Sequence, residues 1–227
     1  MSHDDGQEAV CVLASGGLDS GVLLAELARD FASVFPLYVR AGLVWEDAEV
    51  YWLGRFVREL RSRRVREPQV VSLPMDDLYG AHWSVSGEGV PGYEAATADN
   101  YLPGRNLVLL TKAAVFCALR SIGTVALAPL KENPFPDTTR SFFRSFEAVA
   151  AEGLRIGLRV LTPFRGLHKR DVVRRGGLLP LELTFSCASP AAAMRHCGRC
   201  TKCAERRAAF AQAGVRDPTP YVSGPPA

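Results

Sequence analysis

No uninterrupted apolar run in the 227-residue chain is long enough to span a bilayer. The opening segment "MSHDDGQEAV" is acidic and polar where a secretory leader is basic and then apolar. A cytoplasmic protein with no membrane partner is therefore expected. Charge of one sign is also scarce, because the formal net charge is only +3, too little to argue for a nucleic-acid partner. Internal repeats and low-complexity segments are absent, which removes solenoids from consideration, and disorder is expected only in the Gly- and Pro-containing end beyond Tyr221. The length suits one large domain, or one domain with an appendage.

What the chain does have near its start is "VCVLASGGLDSGVLLAELA". Val10 to Leu13 is a short apolar run bounded by Ser and Gly, which reads as a buried parallel strand. Val22, Leu23, Leu24, Leu27 and Phe31 then recur at helical spacing, with Glu26, Arg29 and Asp30 on the opposite face. Ser15 to Ser20 is thus the turn from a strand into a helix. The first backbone N–H groups there have no partner within the helix and the dipole is positive, so a phosphate is stabilised. Gly16 and Gly17 allow close approach of the backbone, Ser15 and Ser20 add hydroxyls, and Asp19 offers oxygen to a magnesium ion. A plain capped turn is the competing reading. No lysine follows the glycines as in a Walker loop, and the third glycine of the dinucleotide fingerprint is missing.

The string SGGLDS (Ser15, Gly16, Gly17, Leu18, Asp19, Ser20) resembles the pyrophosphate loop of the ATP pyrophosphatases, which cleave ATP between its α and β phosphates. That resemblance implies a doubly wound, mostly parallel α/β sheet of the adenine nucleotide α-hydrolase kind. The rest of the chain fits such a sheet. "VFPLYV" and "PQVVSLPM" read as the second and third strands, with a long helix through "EDAEVYWLGRFVRELRSR" between them. Residues 76–99 read as a long loop, "YLPGRNLVLLTKAAVFCALRSIG" as a turn and helix, and "TVALAP" as another strand. In such sheets ligands sit beyond the carboxyl ends of the strands, where Ser15 to Ser20 would lie.

The second signal is "FSCASPAAAMRHCGRCTKCAERRAAF", which holds four of the six cysteines: Cys187, Cys197, Cys200 and Cys203. Two thiolates three positions apart on a tight turn can grip one metal, and others close a tetrahedron. Structural zinc is the leading reading and an iron–sulfur cluster its competitor, since disulfides are disfavoured in the cytoplasm. His196 is adjacent to this set rather than needed by it. Cys11 and Cys117 read as core residues.

The two ends together resemble the 7-cyano-7-deazaguanine synthase family. "YLPGRN" (Tyr101, Pro103, Arg105, Asn106), "PFPDTTRSFF" (Pro136, Asp137), "LTPFRGLHKRDVV" (Thr162, Pro163, Lys169) and "TFSC" (Thr184, Ser186, Cys187) follow the family's order, as does the tail through Arg206, Phe210, Gly214, Asp217 and Pro218. The resemblance implies a domain over residues 1–183 that binds ATP and Mg2+, and a zinc-binding tail over 184–227. It implies a ligase that adenylates 7-carboxy-7-deazaguanine, lets ammonia displace AMP, and dehydrates the amide to a nitrile with a second ATP. Asp19, Arg105, Lys169 and Asp137 are then the catalytic candidates, and Tyr101, Asn106, Glu132 and Asp137 the substrate contacts. A homodimer is implied as well.

The chain departs from the family in "YVRAGLVWEDAE" and in "LAPLKENPFPD", where Lys131 stands near the family's acid. Guanine N–H donors need an acceptor, for which Glu132 and Asp137 are the available acids. Two other readings stay open at this point. One is a relative that adenylates another carboxylate or passes it to another amine. The other is a tRNA sulfur-transferase, for which "RELRSRRVREP" would have to be an RNA surface rather than a solvated helix end.

Overall fold

The structure is a computed structural model that describes residues 9–226. Most of the N-terminal segment used in the leader argument, residues 1–8, lies outside the described part, as does residue 227.

Five parallel strands form one sheet: β1 (Ala9–Leu13), β2 (Ser33–Arg40), β3 (Gln69–Ser72), β4 (Thr124–Ala126) and β5 (Arg159–Leu161), in the order β3-β2-β1-β4-β5. The order reverses at β1, between β2 and β4, which opens a crevice beyond their carboxyl ends. Strand β1 is apolar throughout because both of its faces are covered. Its side chains alternate, so Val10 and Val12 enter one core while Cys11 and Leu13 enter the other.

Helices α1 (Leu18–Asp30) and α2 (Glu46–Leu60) cover the first face together with two later helices. Leu23, Leu24 and Leu27 of α1 and Leu53 and Val57 of α2 meet Val172 and Val173 of the helix Lys169–Arg175, and Ala209 and Phe210 of the helix Thr201–Ala213. The second face is covered by the helices Arg105–Leu119 and Arg140–Leu154, through Leu110, Ala113, Ala114, Phe143 and Phe146. The doubly wound parallel sheet expected from the sequence is therefore present.

The segment read as a loop at 76–99 is more ordered than that reading allowed. It contains α3 (Asp76–Tyr79), α4 (Trp83–Ser86) and a 3-10 turn at Thr97–Asn100. Trp83 stacks on Trp45 at 5.5 Å between ring centroids, which gives these short helices an apolar anchor. The remaining helices are α5 (Arg105–Leu119), α6 (Arg140–Leu154), α7 (Lys169–Arg175) and α8 (Thr201–Ala213).

One buried guanidinium ties the segment after residue 183 together and to the turn at Leu181–Leu183. Arg206 has no exposed surface, and it donates through Nε to Thr219 Oγ1 at 2.6 Å, through Nη1 to Thr184 Oγ1 at 2.9 Å and through Nη2 to the Leu181 carbonyl at 2.8 Å. The last residues are held too. Val222 N–H donates to the His196 carbonyl at 2.9 Å and Ser223 N–H to that of Cys197 at 3.2 Å. Gly198, at φ +83°, permits this, because a Cβ there would fall 2.0 Å from the Ser223 carbonyl oxygen.

Candidate active site and metal centre

The turn from β1 into α1 sits where the sequence places it, at the carboxyl end of the central strand. Gly16 adopts φ +73°, and a Cβ on it would lie 2.6 Å from the Glu49 carbonyl oxygen, so α2 packs directly against the turn. Gly17 is the N-cap of α1 and no side chain caps the helix, which leaves its positive end for another group. Ser15 Oγ lies 3.4 Å from Ser20 Oγ, and the Ser20 hydroxyl donates to the Gly17 carbonyl at 3.1 Å. From below, Phe185 N–H donates to the Gly16 carbonyl at 2.7 Å and Leu18 N–H to Ser186 Oγ at 3.5 Å. The tail thus buttresses the turn.

Above the turn lies a cavity of about 270 Å³ whose lining includes Ser15, Asp19, Ser20, Arg105, Asn106 and Asp137. These six come from three distant parts of the chain. Asp137 does two things at once: its carboxylate faces the cavity and accepts from Asn106 N–H at 2.9 Å and from Asn106 Nδ2 at 3.2 Å, fixing the start of α5. Arg105, the first residue of α5, keeps Nε buried and without a hydrogen-bond partner. Tyr101 stands behind the lining, its ring 5.3 Å from that of Phe135, which faces the cavity.

Lys169 opens α7 and reaches Asp19, with Nζ 3.1 Å from Oδ2. Burial works against its charge, but Asp19 and Glu205 outweigh burial and hold its pKa above the ordinary lysine value. The other Asp19 oxygen, Oδ1, is buried and has no partner. A hard cation such as magnesium takes oxygen ligands, and this free carboxylate oxygen fits one, while the positive helix end beside it suits a phosphate.

Glu132 is not brought to the cavity. It is exposed and pairs with His168 Nδ1 at the start of α7, while Lys131 Nζ lies 3.5 Å from the other ring nitrogen. The sequence reading missed several groups that do line the cavity, among them Tyr38, Glu46, Glu49 and Lys202. Tyr38 donates its hydroxyl to Glu49 Oε2 at 2.7 Å. Burial pushes the Glu49 carboxyl up to about 7, against the opposing pull of Arg105 and of the Tyr38 hydrogen bond, with Glu46 adding to the rise. An acid on the first buried turns of α2 looks in sequence like any helix carboxylate, so no local signal marks it.

The four cysteines Cys187, Cys197, Cys200 and Cys203 converge, all four sulfurs lying within 4.8 Å of one another. The separations Cys187–Cys200 and Cys197–Cys203 are 3.9 Å and Cys200–Cys203 is 3.6 Å. One tetrahedral ion bonded to sulfur at about 2.3 Å holds its ligands about 3.8 Å apart. The set therefore fits a single zinc ion. Each sulfur also accepts one backbone N–H, at 3.3 to 3.4 Å, from Cys197, Arg199, Ala188 and Gly198 respectively for Cys187, Cys197, Cys200 and Cys203. Such donors stabilise thiolate charge. His196 is outside the set: its ring is buried and Nε2 accepts from Ser186 N–H at 2.9 Å.

Comparison with known proteins agrees with both ends of the chain. A family model described as queuosine biosynthesis protein QueC matches residues 8–214. The 7-cyano-7-deazaguanine synthase 1 of Desulfitobacterium hafniense (strain Y51) is 29% identical over 211 residues, covering 90% of this chain and 92% of that one. The 7-cyano-7-deazaguanine synthase of Xanthomonas euvesicatoria pv. vesicatoria (strain 85-10) is 30% identical over 237 residues, covering 93% and 96%. Among solved structures, a predicted subunit of tRNA methyltransferase from Methanocaldococcus jannaschii aligns with a TM-score of 0.50 at 16% identity over 75% of this chain and 74% of that one, a likeness of fold alone. With the match running from the strand before the SGGLDS turn through the last cysteine and α8, the chain belongs to the queuosine biosynthesis protein QueC family.

Proposed function

We propose that the chain is a synthase that converts 7-carboxy-7-deazaguanine and ammonia to 7-cyano-7-deazaguanine at the expense of two ATP. The observation that carries this reading is the convergence of the SGGLDS turn, the partnerless Asp19 Oδ1 and Arg105 on one cavity, in a chain of this family. Hydroxide is a poor leaving group and AMP a good one, so each adenylation prepares one C–O cleavage. In the first half the substrate carboxylate attacks the α-phosphate and expels pyrophosphate, then ammonia attacks the acyl carbon and AMP leaves. In the second half the amide oxygen is adenylated in the same way, and loss of AMP and a proton leaves the nitrile.

In this reading the N–H groups at the start of α1, with the Ser15 and Ser20 hydroxyls, hold the departing pyrophosphate. Magnesium, held by Asp19, would neutralise phosphate charge. Arg105 and Lys169 offset charge as it develops on the phosphates, with Lys169 aimed by its contact to Asp19. Asn106 and Asp137 orient the base, and Tyr101 supports the wall through Phe135. The zinc site keeps the tail folded beneath the turn and takes no part in the chemistry. A sulfur-transferase reading loses support here, because no cysteine is among the residues lining the cavity.

The test is incubation of the purified protein with ATP, magnesium, ammonium and 7-carboxy-7-deazaguanine, read by mass spectrometry. Nitrile together with AMP is the expected result. Unchanged acid, with AMP released instead on addition of other carboxylates, would keep the adenylating chemistry and overturn the substrate.

A further inference from the structure

The metal site needs only the spacing of Cys200 and Cys203; it places no demand on the residues between them. One of these is Lys202, on the first turn of α8, and its side chain lines the same cavity as Ser15, Asp19, Ser20 and Arg105. Its ammonium is aimed by Glu205, with Nζ 3.1 Å from Oε2 and 3.4 Å from Oε1 one turn along the helix. Two cations, Arg105 of α5 and Lys202 of α8, line the cavity together with the carboxylates of Asp19, Glu46, Glu49 and Asp137, and Lys169 of α7 reaches Asp19 from outside the lining. A cation that lines the cavity beside the Ser15 to Ser20 turn is placed to meet a phosphate seated at the uncapped start of α1.

We infer that Lys202 is a phosphate-binding residue: its ammonium contacts the phosphate oxygens of the nucleotide seated on the SGGLDS turn. The inference rests on the ATP reading above. It gives the metal centre a second consequence, because the loop that holds the metal also delivers one of the cavity's cations. Glu205 is the counter-charge of that cation, and phosphate takes its place.

The experiment measures binding of magnesium ATP and of inorganic pyrophosphate by calorimetry, on the full metal-loaded chain, for the wild type, Lys202→Gln, Lys202→Arg and Glu205→Gln, with metal content determined for each. Losing a charge-assisted contact should weaken both ligands roughly tenfold or more in Lys202→Gln at unchanged metal content. Lys202→Arg, which keeps the charge, should stay within about threefold of wild type. Equal affinity in wild type and Lys202→Gln, or equal loss in the Gln and Arg variants, would overturn the assignment. If Lys202→Gln loses metal, Glu205→Gln decides: removing the counter-charge should tighten pyrophosphate binding, and no tightening would sink the idea. A wild type that binds neither ligand would overturn the ATP reading itself, whereas a wild type that binds both with an indifferent Lys202 overturns only this step.

Discussion

Lys169 Nζ stands 3.1 Å from Asp19 Oδ2, so a pair 150 residues apart in sequence joins the start of α7 to the first turn of α1. Both side chains are about four-fifths buried, at 21% and 23% exposure, yet one carboxylate oxygen is left without a partner. That free oxygen is the atom on which the proposed magnesium role of Asp19 rests.

Asp19→Asn should therefore damage binding more than folding. The amide removes the charge that magnesium and Lys169 both use, and leaves Lys169 with Glu205 as its remaining acid. The cost to stability should be about 1 kcal/mol, since the pair is only partly desolvated. AMP formation should fall by about a hundredfold or more, the scale of one lost electrostatic group. A variant that keeps wild-type AMP formation would remove Asp19 from the reaction.

The metal centre gives a second expectation. Binding energy at a four-thiolate zinc site is folding energy, of order 10 kcal/mol. Trp52 shares an apolar cluster with Cys187, Cys200 and Cys203 and donates Nε1–H to the Met194 carbonyl at 2.6 Å. Chelation, or Cys200→Ser, should thus change tryptophan fluorescence while the circular dichroism of the sheet and α1, α5 and α6 persists. Elemental analysis should give one zinc per chain and a colourless protein; visible absorption from iron would replace zinc with the competing metal chemistry.

How much of this was legible beforehand depends on how local each signal is. The SGGLDS turn and the cysteine spacing carry their chemistry within a few residues, so sequence alone located both. Lys202 and Glu49 could not be found that way, because what distinguishes them is the direction in which α8 and α2 face after packing. The helices Asp76–Tyr79 and Trp83–Ser86 are one turn each, too short to express a period, so the sequence there has only the character of a loop. Glu132 has the right charge and lies close in sequence to Pro136 and Asp137, but backbone direction decides where a side chain goes. It points to His168.

Glu49 supplies a pH dependence with a definite sign. Its folded pKa of about 7 lies above the ordinary carboxyl value, so between roughly pH 4.5 and 7 the folded state holds more proton than the unfolded one. This group's contribution to stability is greatest at low pH and is lost as pH rises through that window, by an amount of order 3 kcal/mol. Glu49→Gln keeps an acceptor for the Tyr38 hydroxyl and removes the titration. Urea midpoints measured at pH 5 and pH 8 should fall in the wild type relative to the variant as pH rises. Parallel profiles for the two proteins would mean that Glu49 is not the group responsible.

The two glycines of the turn should behave differently, although their sequence context is nearly the same. Gly16 is in the left-handed region at φ +73°, and a Cβ there would press to 2.6 Å on the Glu49 carbonyl oxygen and 3.2 Å on Leu53 Cβ. Backbone cannot yield as a side chain can, so Gly16→Ala must push α2 away from the turn. The left-handed conformation alone costs about 1 kcal/mol and overpacking commonly 1–3 kcal/mol more. Gly17 has φ −72°, available to any residue, and its nearest obstacle is the Ser15 hydroxyl at 3.1 Å, a group that can rotate. Gly17→Ala should therefore fold with a loss of about 1 kcal/mol or less, while displacing the Ser15 hydroxyl that the proposed phosphate would use. Denaturant titration alongside ATP binding separates the two effects: Gly16→Ala should lose stability and binding together, Gly17→Ala binding alone. An unchanged urea midpoint in Gly16→Ala would mean that contact with α2 is not what requires glycine there.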